Sequence, residues 1–411
     1  MERFFTHAET LSSKREGPLG LYIDEFAEQL SQQGYSRQYA RRRLQLVAEF
    51  SHWLRRRDLA VADLTLTHLE NYLRFRARSR RRRPGDAASL KVFFELLHQK
   101  GLVIAQIDLV DKTPIDELQD EFRLYLRQER VLAPSTVIHY ASFAKELLQH
   151  RFGIGPADLS LLSAADVVGF VQRRASSLVR KTAKLMTTAL RSFLRYARYR
   201  DYIRVDLAAC VPCVADWSAA SLPKSLPLQH VKRVLASCNR KTAIGRRDYA
   251  MLLLLARLGL RAGEVVSLAL DDIDWEAGYL TVRGKGDRRA PLPLPADVGK
   301  AIAAYLKYGR PRSTSRCVFL RGHAPASSFK SSPAVSTVVR HALARAGIDS
   351  PRKGAHQFRH TLATEMLRQG ASLREIGDLL RHRHPQTTTI YAKVDLVSLR
   401  TLGLAWPGGA R

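Results

Sequence analysis

A pair of segments recurs about one hundred positions apart, and this repetition limits the fold more than any other feature. YIDEFAEQL (Tyr22 to Leu30) resembles LQDEFRLYL (Leu118 to Leu126), and LKVFFELLHQKGLV (Leu90 to Val103) resembles LRSFLRYARYRDYI (Leu190 to Ile203). Between these segments each half carries a basic helical stretch and a DL[TS]L-like element, Asp63 to Leu66 and Asp158 to Leu161. Apolar residues recur at helical spacing, as in Phe50, Trp53 and Leu54 and again in Phe193, Leu194 and Ala197. Self-similarity at a fixed offset is the mark of one supersecondary unit used twice. The expectation is therefore two small all-helical modules in tandem.

At 411 residues the chain suits two or three domains. A loop around Asp108 to Pro114 separates the modules, and the segment Val211 to Pro227, with three prolines, leads into a last domain. The expected division is 1–112, 113–205, a linker 206–225 and 226–411. In the last domain LQHVKRVLASC and RDYAMLLLLARLG read as helices, and LGLRAGEVVSL as the turn that follows. YLTVRGKGDRRAPLPL reads as a β-hairpin, with alternation in Tyr279 to Val282 and a glycine-flanked tip. Pro291 and Pro293 place its return strand at a sheet edge. Ser332 and Pro333 open one helix that Gly347 stops, AHQFRHTLATEMLRQG is a second, and Ser372 with Glu375 forms a capping box on a third. Pro385 starts a final helical turn or two. The fold class is thus mainly α with a small β-sheet, helical modules preceding an α+β domain.

Charge narrows the partner. Lys+Arg number 67 against Asp+Glu 38, a net +29, which favours a polyanion and nucleic acid first. The competing reading is a generally basic, solvated surface. The four cysteines include the pair Cys210 and Cys213, but no second pair or suitably spaced histidine completes a zinc site, so a structural role is expected and no metal. Few cysteines and the lack of a signal-like segment fit a reducing cytoplasm. The run MLLLLA is too short to cross a bilayer, so no membrane partner is expected.

Several residues could carry chemistry. His356 and Arg359 in HQFRH stand three apart on one helix face, offering a proton carrier and a planar fork that matches phosphate oxygens. Arg261 follows an apolar helix, and Lys285 sits at the hairpin tip. His382 and Tyr391 flank a threonine run in LLRHRHPQTTTIYAK. Taken singly, each is more often surface or packing. Together they form a set that can hold a phosphate, stabilise negative charge and attack.

The order and spacing of these segments resemble the tyrosine recombinases, also called phage-type integrases. The likeness lies in LGLRAGEVVSLALDDIDW, RGKGDRRAPLPL, HQFRHTLATEML and LLRHRHPQTTTIYAK, and spans about Leu226 to Ser398, with His382 and Tyr391 nine apart and Thr387 and Thr388 at the paired threonine positions. The module at about 115 to 203 is similar to the family's helical, SAM-like core-binding domain. The resemblance implies an Xer-like site-specific recombinase with an additional N-terminal module, which the internal repeat makes a candidate duplicate of the core-binding one. It would join DNA through a 3′-phosphotyrosyl link without metal or other cofactor. Arg261 and Arg359 would clamp the scissile phosphate, Lys285 would protonate the departing 5′ oxygen, and His356 would assist proton transfer. His382 would hydrogen-bond the phosphate, Tyr391 would attack, and Glu264 would support the first arginine. Arg381 stands where the family usually has glycine, which puts the local backbone in question or adds a phosphate contact.

Arg80, Arg81, Arg82 and Arg83 form a basic loop expected to track DNA phosphates, as do Arg41 to Arg43 and Arg55 to Arg57. The first module is expected either to extend the DNA footprint or to touch a neighbouring subunit. The residues after Tyr391 are expected to dock on a neighbour in a tetramer on DNA or to pack on their own chain. The implied partner is double-stranded DNA with specific sites, and the implied setting a mobile element. A non-catalytic DNA-binding accessory and a type IB topoisomerase are the alternative functions.

Overall fold

The computed structural model describes residues 1–79, 83, 85–103, 112–153, 155–214, 225–284 and 289–394. The chain divides into two compact units, Met1–Ala105 with Ser221–Arg411, and Gln106–Ala220. Among the described residues no helix is long and apolar enough to cross a membrane.

In the first unit, residues 1–103 form a helical body around the helices Gly20–Gln32, Arg37–Arg55, Leu66–Ser79 and Asp86–Gln99. Its core gathers Phe26, Leu30, Leu44, Phe50, Trp53 and Phe93, all buried. Phe26 meets Phe93 edge-on with ring centroids 5.0 Å apart, an arrangement favoured by the ring quadrupoles.

The second unit is built from Pro114–Gln128, Pro134–Phe152, Ala164–Ser176 and Arg180–Tyr199. Two of these begin on capping boxes, Thr113 with Asp116 and Ser163 with Asp166, each hydroxyl accepting from the backbone N–H three residues on. Its core has the same aromatic device: Phe122 meets Phe193 edge-on at 5.2 Å. Phe26 and Phe122 are the aromatic residues of the two DEF segments, and Phe93 and Phe193 lie in the second pair of similar segments. The repeated sequence therefore encodes the same contact twice.

The remaining body of the first unit is organised by the helix Ala243–Leu258, whose residues Met251 to Leu255 are all buried. Against it pack the helices Ala296–Tyr308 and His356–Arg368. A three-stranded antiparallel sheet lies in the order β1 (Ile273–Asp274), β2 (Tyr279–Arg283), β3 (Arg289–Pro293). Leu280 faces Ile273 on one side and Leu292 on the other. As the prolines require, β3 is an edge strand, with Pro291 opposite Thr281 and Pro293 opposite Tyr279. Gly347 and Gly370 follow their helices with φ +63° and +87°, a left-handed conformation that glycine adopts without a Cβ penalty. The Ser372–Glu375 capping box forms in both directions. Ser332 precedes its helix as expected, but its side chain makes no capping bond. The final segment is not an α-helix: it is two 3-10 turns, Pro385–Thr387 and Thr389–Val394.

Candidate active site

Gly259 positions the first arginine. It ends the apolar helix with φ +56°, and a Cβ there would lie 2.8 Å from Leu380 Cδ2 and 3.1 Å from Leu362 Cδ2. Only glycine satisfies both the backbone and the space. The chain then turns at Arg261, the N-cap of the short helix Ala262–Ser267. Glu264 closes that N-terminus by accepting from the Arg261 backbone N–H at 2.8 Å, and its other oxygen accepts from the Arg261 guanidinium, also at 2.8 Å. A second guanidinium, that of Arg381, donates to Glu264 at 2.9 Å.

Arg359 enters from the helix His356–Arg368 and is 3% exposed. It donates to the carbonyl of Gly259 at 2.6 Å and to the carbonyl of Leu380. Burial, then repulsion from Arg261 and Arg381, lowers its guanidinium to about 10, so it remains cationic at neutral pH. Burial alone would raise the Glu264 carboxyl. The charge of Arg381 and the hydrogen bonds from Arg261 outweigh it and hold the group below its ordinary value. Two guanidiniums, Arg261 and Arg381, thus pair with a single buried carboxylate, and the third, Arg359, is held beside them by backbone carbonyls. The surplus positive charge is fixed in a partly dry site, where an anion is strongly attracted.

His382 and Tyr391 complete the cluster. His382 Nδ1 lies 2.7 Å from the hydroxyl of Thr388, itself buried. Burial and the charges of Arg359, Arg261 and Arg381 lower the His382 imidazole to about 4, so the ring is neutral at pH 7. Tyr391 is 1% exposed, packed with Ala363, Ile376 and Leu380. Burial raises its phenol above the ordinary value, with Arg359 acting in the opposite direction. Its hydroxyl is 3.0 Å from His360 Nδ1, and the two rings meet edge-on at 5.7 Å.

The structure therefore brings together Arg261, Glu264, Arg359, His382 and Tyr391. His356 stands exposed at the start of the Arg359 helix, its ring 5.7 Å from that of His360. Lys285 lies outside the described residues, as do Arg80, Arg81 and Arg82. Arg83 is exposed and lines a groove of about 750 Å³ in the first body with Arg41, Arg42, Arg43 and Arg76. Arg381, expected either to disturb the local backbone or to add a phosphate contact, is turned inward: its side chain is 13% exposed and bonded to Glu264 and to the Leu379 carbonyl. Its φ is +54°, the conformation for which glycine is suited at that position. Two further residues belong to the site. Thr388 orients His382, and the paired threonines were the signal for it. His360 meets Tyr391, and its signal was the second histidine of HQFRH, one turn beyond the first.

The chain matches the phage integrase family over residues 224–396 and the phage integrase N-terminal SAM-like domain over residues 120–201. It is 49% identical to y4rA of Sinorhizobium fredii (strain NBRC 101917 / NGR234), named as an integrase/recombinase, over the full length of both chains. It is 30% identical to the tyrosine recombinase XerD of Listeria monocytogenes serotype 4b (strain F2365), covering 70% of this chain and 97% of that protein. Among solved structures, the XerH site-specific recombinase bound to palindromic difH substrate in a post-cleavage complex aligns with a TM-score of 0.56 at 17% identity, over 75% of this chain and 92% of XerH. That last likeness is one of fold.

Proposed function

This chain belongs to the phage integrase family, the tyrosine recombinases, and from that premise we propose that it cuts and rejoins double-stranded DNA at specific sites through a 3′-phosphotyrosyl link on Tyr391. The observation that carries the residue assignment is a buried carboxylate paired with Arg261 and Arg381, with the buried Arg359 and Tyr391 beside it. A phosphodiester is a monoanion, and in-line attack places further charge on its non-bridging oxygens. Arg261 and Arg359 supply fixed positive charge there, each donor of this kind contributing several kcal/mol. Glu264 holds Arg261 in orientation. His382, neutral and anchored by Thr388, donates its remaining ring N–H to the phosphate.

The Tyr391 oxygen forms the bond to phosphorus as the bond to the 5′ oxygen breaks. Lys285 hands that oxygen a proton, a role that rests on the family resemblance. The covalent link conserves the phosphodiester, so rejoining requires no nucleotide cofactor. We assign residues 113–205 to the core-binding domain, 226–411 to catalysis and 1–112 to a second helical module that lengthens the contact with DNA. The setting proposed is a tetramer on paired recombination sites of a mobile element, in the cytoplasm at the nucleoid.

The test uses nicked duplexes from the sequences flanking the gene, arranged so that cleavage releases a short strand and traps the intermediate. Wild type should yield a denaturation-resistant protein–DNA adduct and Tyr391→Phe none. An adduct that persists in Tyr391→Phe sinks the nucleophile assignment. Tight binding with no adduct from wild type sinks the enzyme reading in favour of an accessory binder.

A further inference from the structure

We infer that His360 is the catalytic base of strand cleavage, taking the proton of the Tyr391 hydroxyl as its oxygen attacks phosphorus. The inference rests on Tyr391 being the nucleophile.

Geometry carries it. A general base must stand within about 2.6–3.2 Å of the atom it deprotonates, and His360 Nδ1 is 3.0 Å from Tyr391 Oη. The contact joins residues 31 positions apart, so it is a tertiary contact and not a by-product of helix spacing. The edge-on packing of the rings at 61° holds both side chains in register. Tyr391 is buried, so bulk water does not serve as the acceptor. Of the other imidazoles of the site, His382 Nδ1 is engaged with Thr388, and His356 stands exposed at the helix start.

The step balances. In the tautomer with the proton on Nε2, the Tyr391 O–H donates to His360 Nδ1. Attack forms the O–P bond and breaks the bond from phosphorus to the 5′ oxygen. The phenol proton passes to Nδ1, and the departing oxygen takes a separate proton from the acid of the site. Rejoining runs the same path in reverse, with protonated His360 returning its proton to the phenolic oxygen. Losing His360 therefore slows both directions and leaves the cleavage equilibrium where it was.

The experiment compares wild type, His360→Asn, His360→Ala and Tyr391→Phe on the nicked duplexes, with DNA binding measured beside cleavage. Asn keeps a polar atom near the Nδ1 position but accepts no proton. His360→Asn should bind DNA as wild type does while single-turnover cleavage and rejoining both slow by about 10²-fold or more. Added imidazole should speed His360→Ala. A 5′-bridging phosphorothiolate, whose sulfur leaves without a proton, should not rescue either variant.

Cleavage by His360→Asn at the wild-type rate, with Tyr391→Phe still inactive, overturns the role of His360 and leaves the nucleophile standing. Rescue by the phosphorothiolate also overturns it, because it assigns His360 to the leaving group. An adduct that survives Tyr391→Phe removes the underlying assignment and the base with it.

Discussion

Arg381 couples two opposed energies in one residue. A non-glycine residue in the left-handed region costs about 1–2 kcal/mol, whereas breaking a buried ion pair by deleting one partner costs about 3–5 kcal/mol. Arg381 has φ +54° and donates to Glu264, whose side chain is 4% exposed. Arg261 still pairs with Glu264 when Arg381 is gone, which reduces the second cost. Arg381→Gly should therefore destabilise the protein by about 1–3 kcal/mol net, as read by urea unfolding. A variant as stable as wild type would mean that strain relief fully offsets the ion pair. The sequence marked the position through the glycine expected there, but it could not give the direction of the side chain. That direction is set by a carboxylate 117 residues earlier in the chain. His360 was obscured for a similar reason. Helix periodicity places it on a face with His356, while its partner arrives from a different segment.

At the scale of elements, the segment His382 to Tyr391 is a pH-sensitive structure. His382 is lowered from 6.5 to about 4, so the unfolded chain takes up its proton first. The stabilisation is fully present above about pH 6.5 and is lost as pH falls through 4. Glu264, also lowered, adds a loss of the same sign at lower pH. Thermal unfolding followed from pH 7 to pH 4 should show a steady fall, and His382→Asn should flatten the upper part of it. An unchanged slope in that variant would remove His382 as the cause. Helix boundaries in this body were largely legible, because proline, glycine and the Ser372–Glu375 box act locally. The last described element, expected as a helical turn or two, is short for a local reason too. Pro385 and the β-branched residues Thr387, Thr388, Thr389 and Ile390 disfavour a continuous α-helix, and two 3-10 turns result.

For the molecule as a whole, the net charge of +29 is partly spent internally. Arg76 is paired with Glu49 and Asp86, and Arg41 donates to the carbonyl of Phe4. Arg42 and Arg83 remain exposed on the groove of the first body. If that groove follows the DNA backbone, Arg42→Gln with Arg83→Gln should weaken binding equally on specific and unrelated duplexes. The slope of log affinity against log salt should shrink by about 0.9 for each phosphate that the variant no longer neutralises. An unchanged slope would assign the groove to something other than DNA. The repeat was legible as a sequence pattern, and the paired aromatic contacts give it physical content. The chain's basicity indicated a polyanion but not which arginines face it, since ion pairing within the fold decides that.

The seclusion of Tyr391 has a consequence for fidelity. With Tyr391 as nucleophile, a chain drifting over unrelated DNA carries its reactive oxygen sheathed, like a safety catch on a cutting tool. On that assignment, exposing the oxygen would cost the burial of its ring, a cost that contacts with the duplex would have to offset. Discrimination would then arise in the step from binding to incision as well as in binding itself.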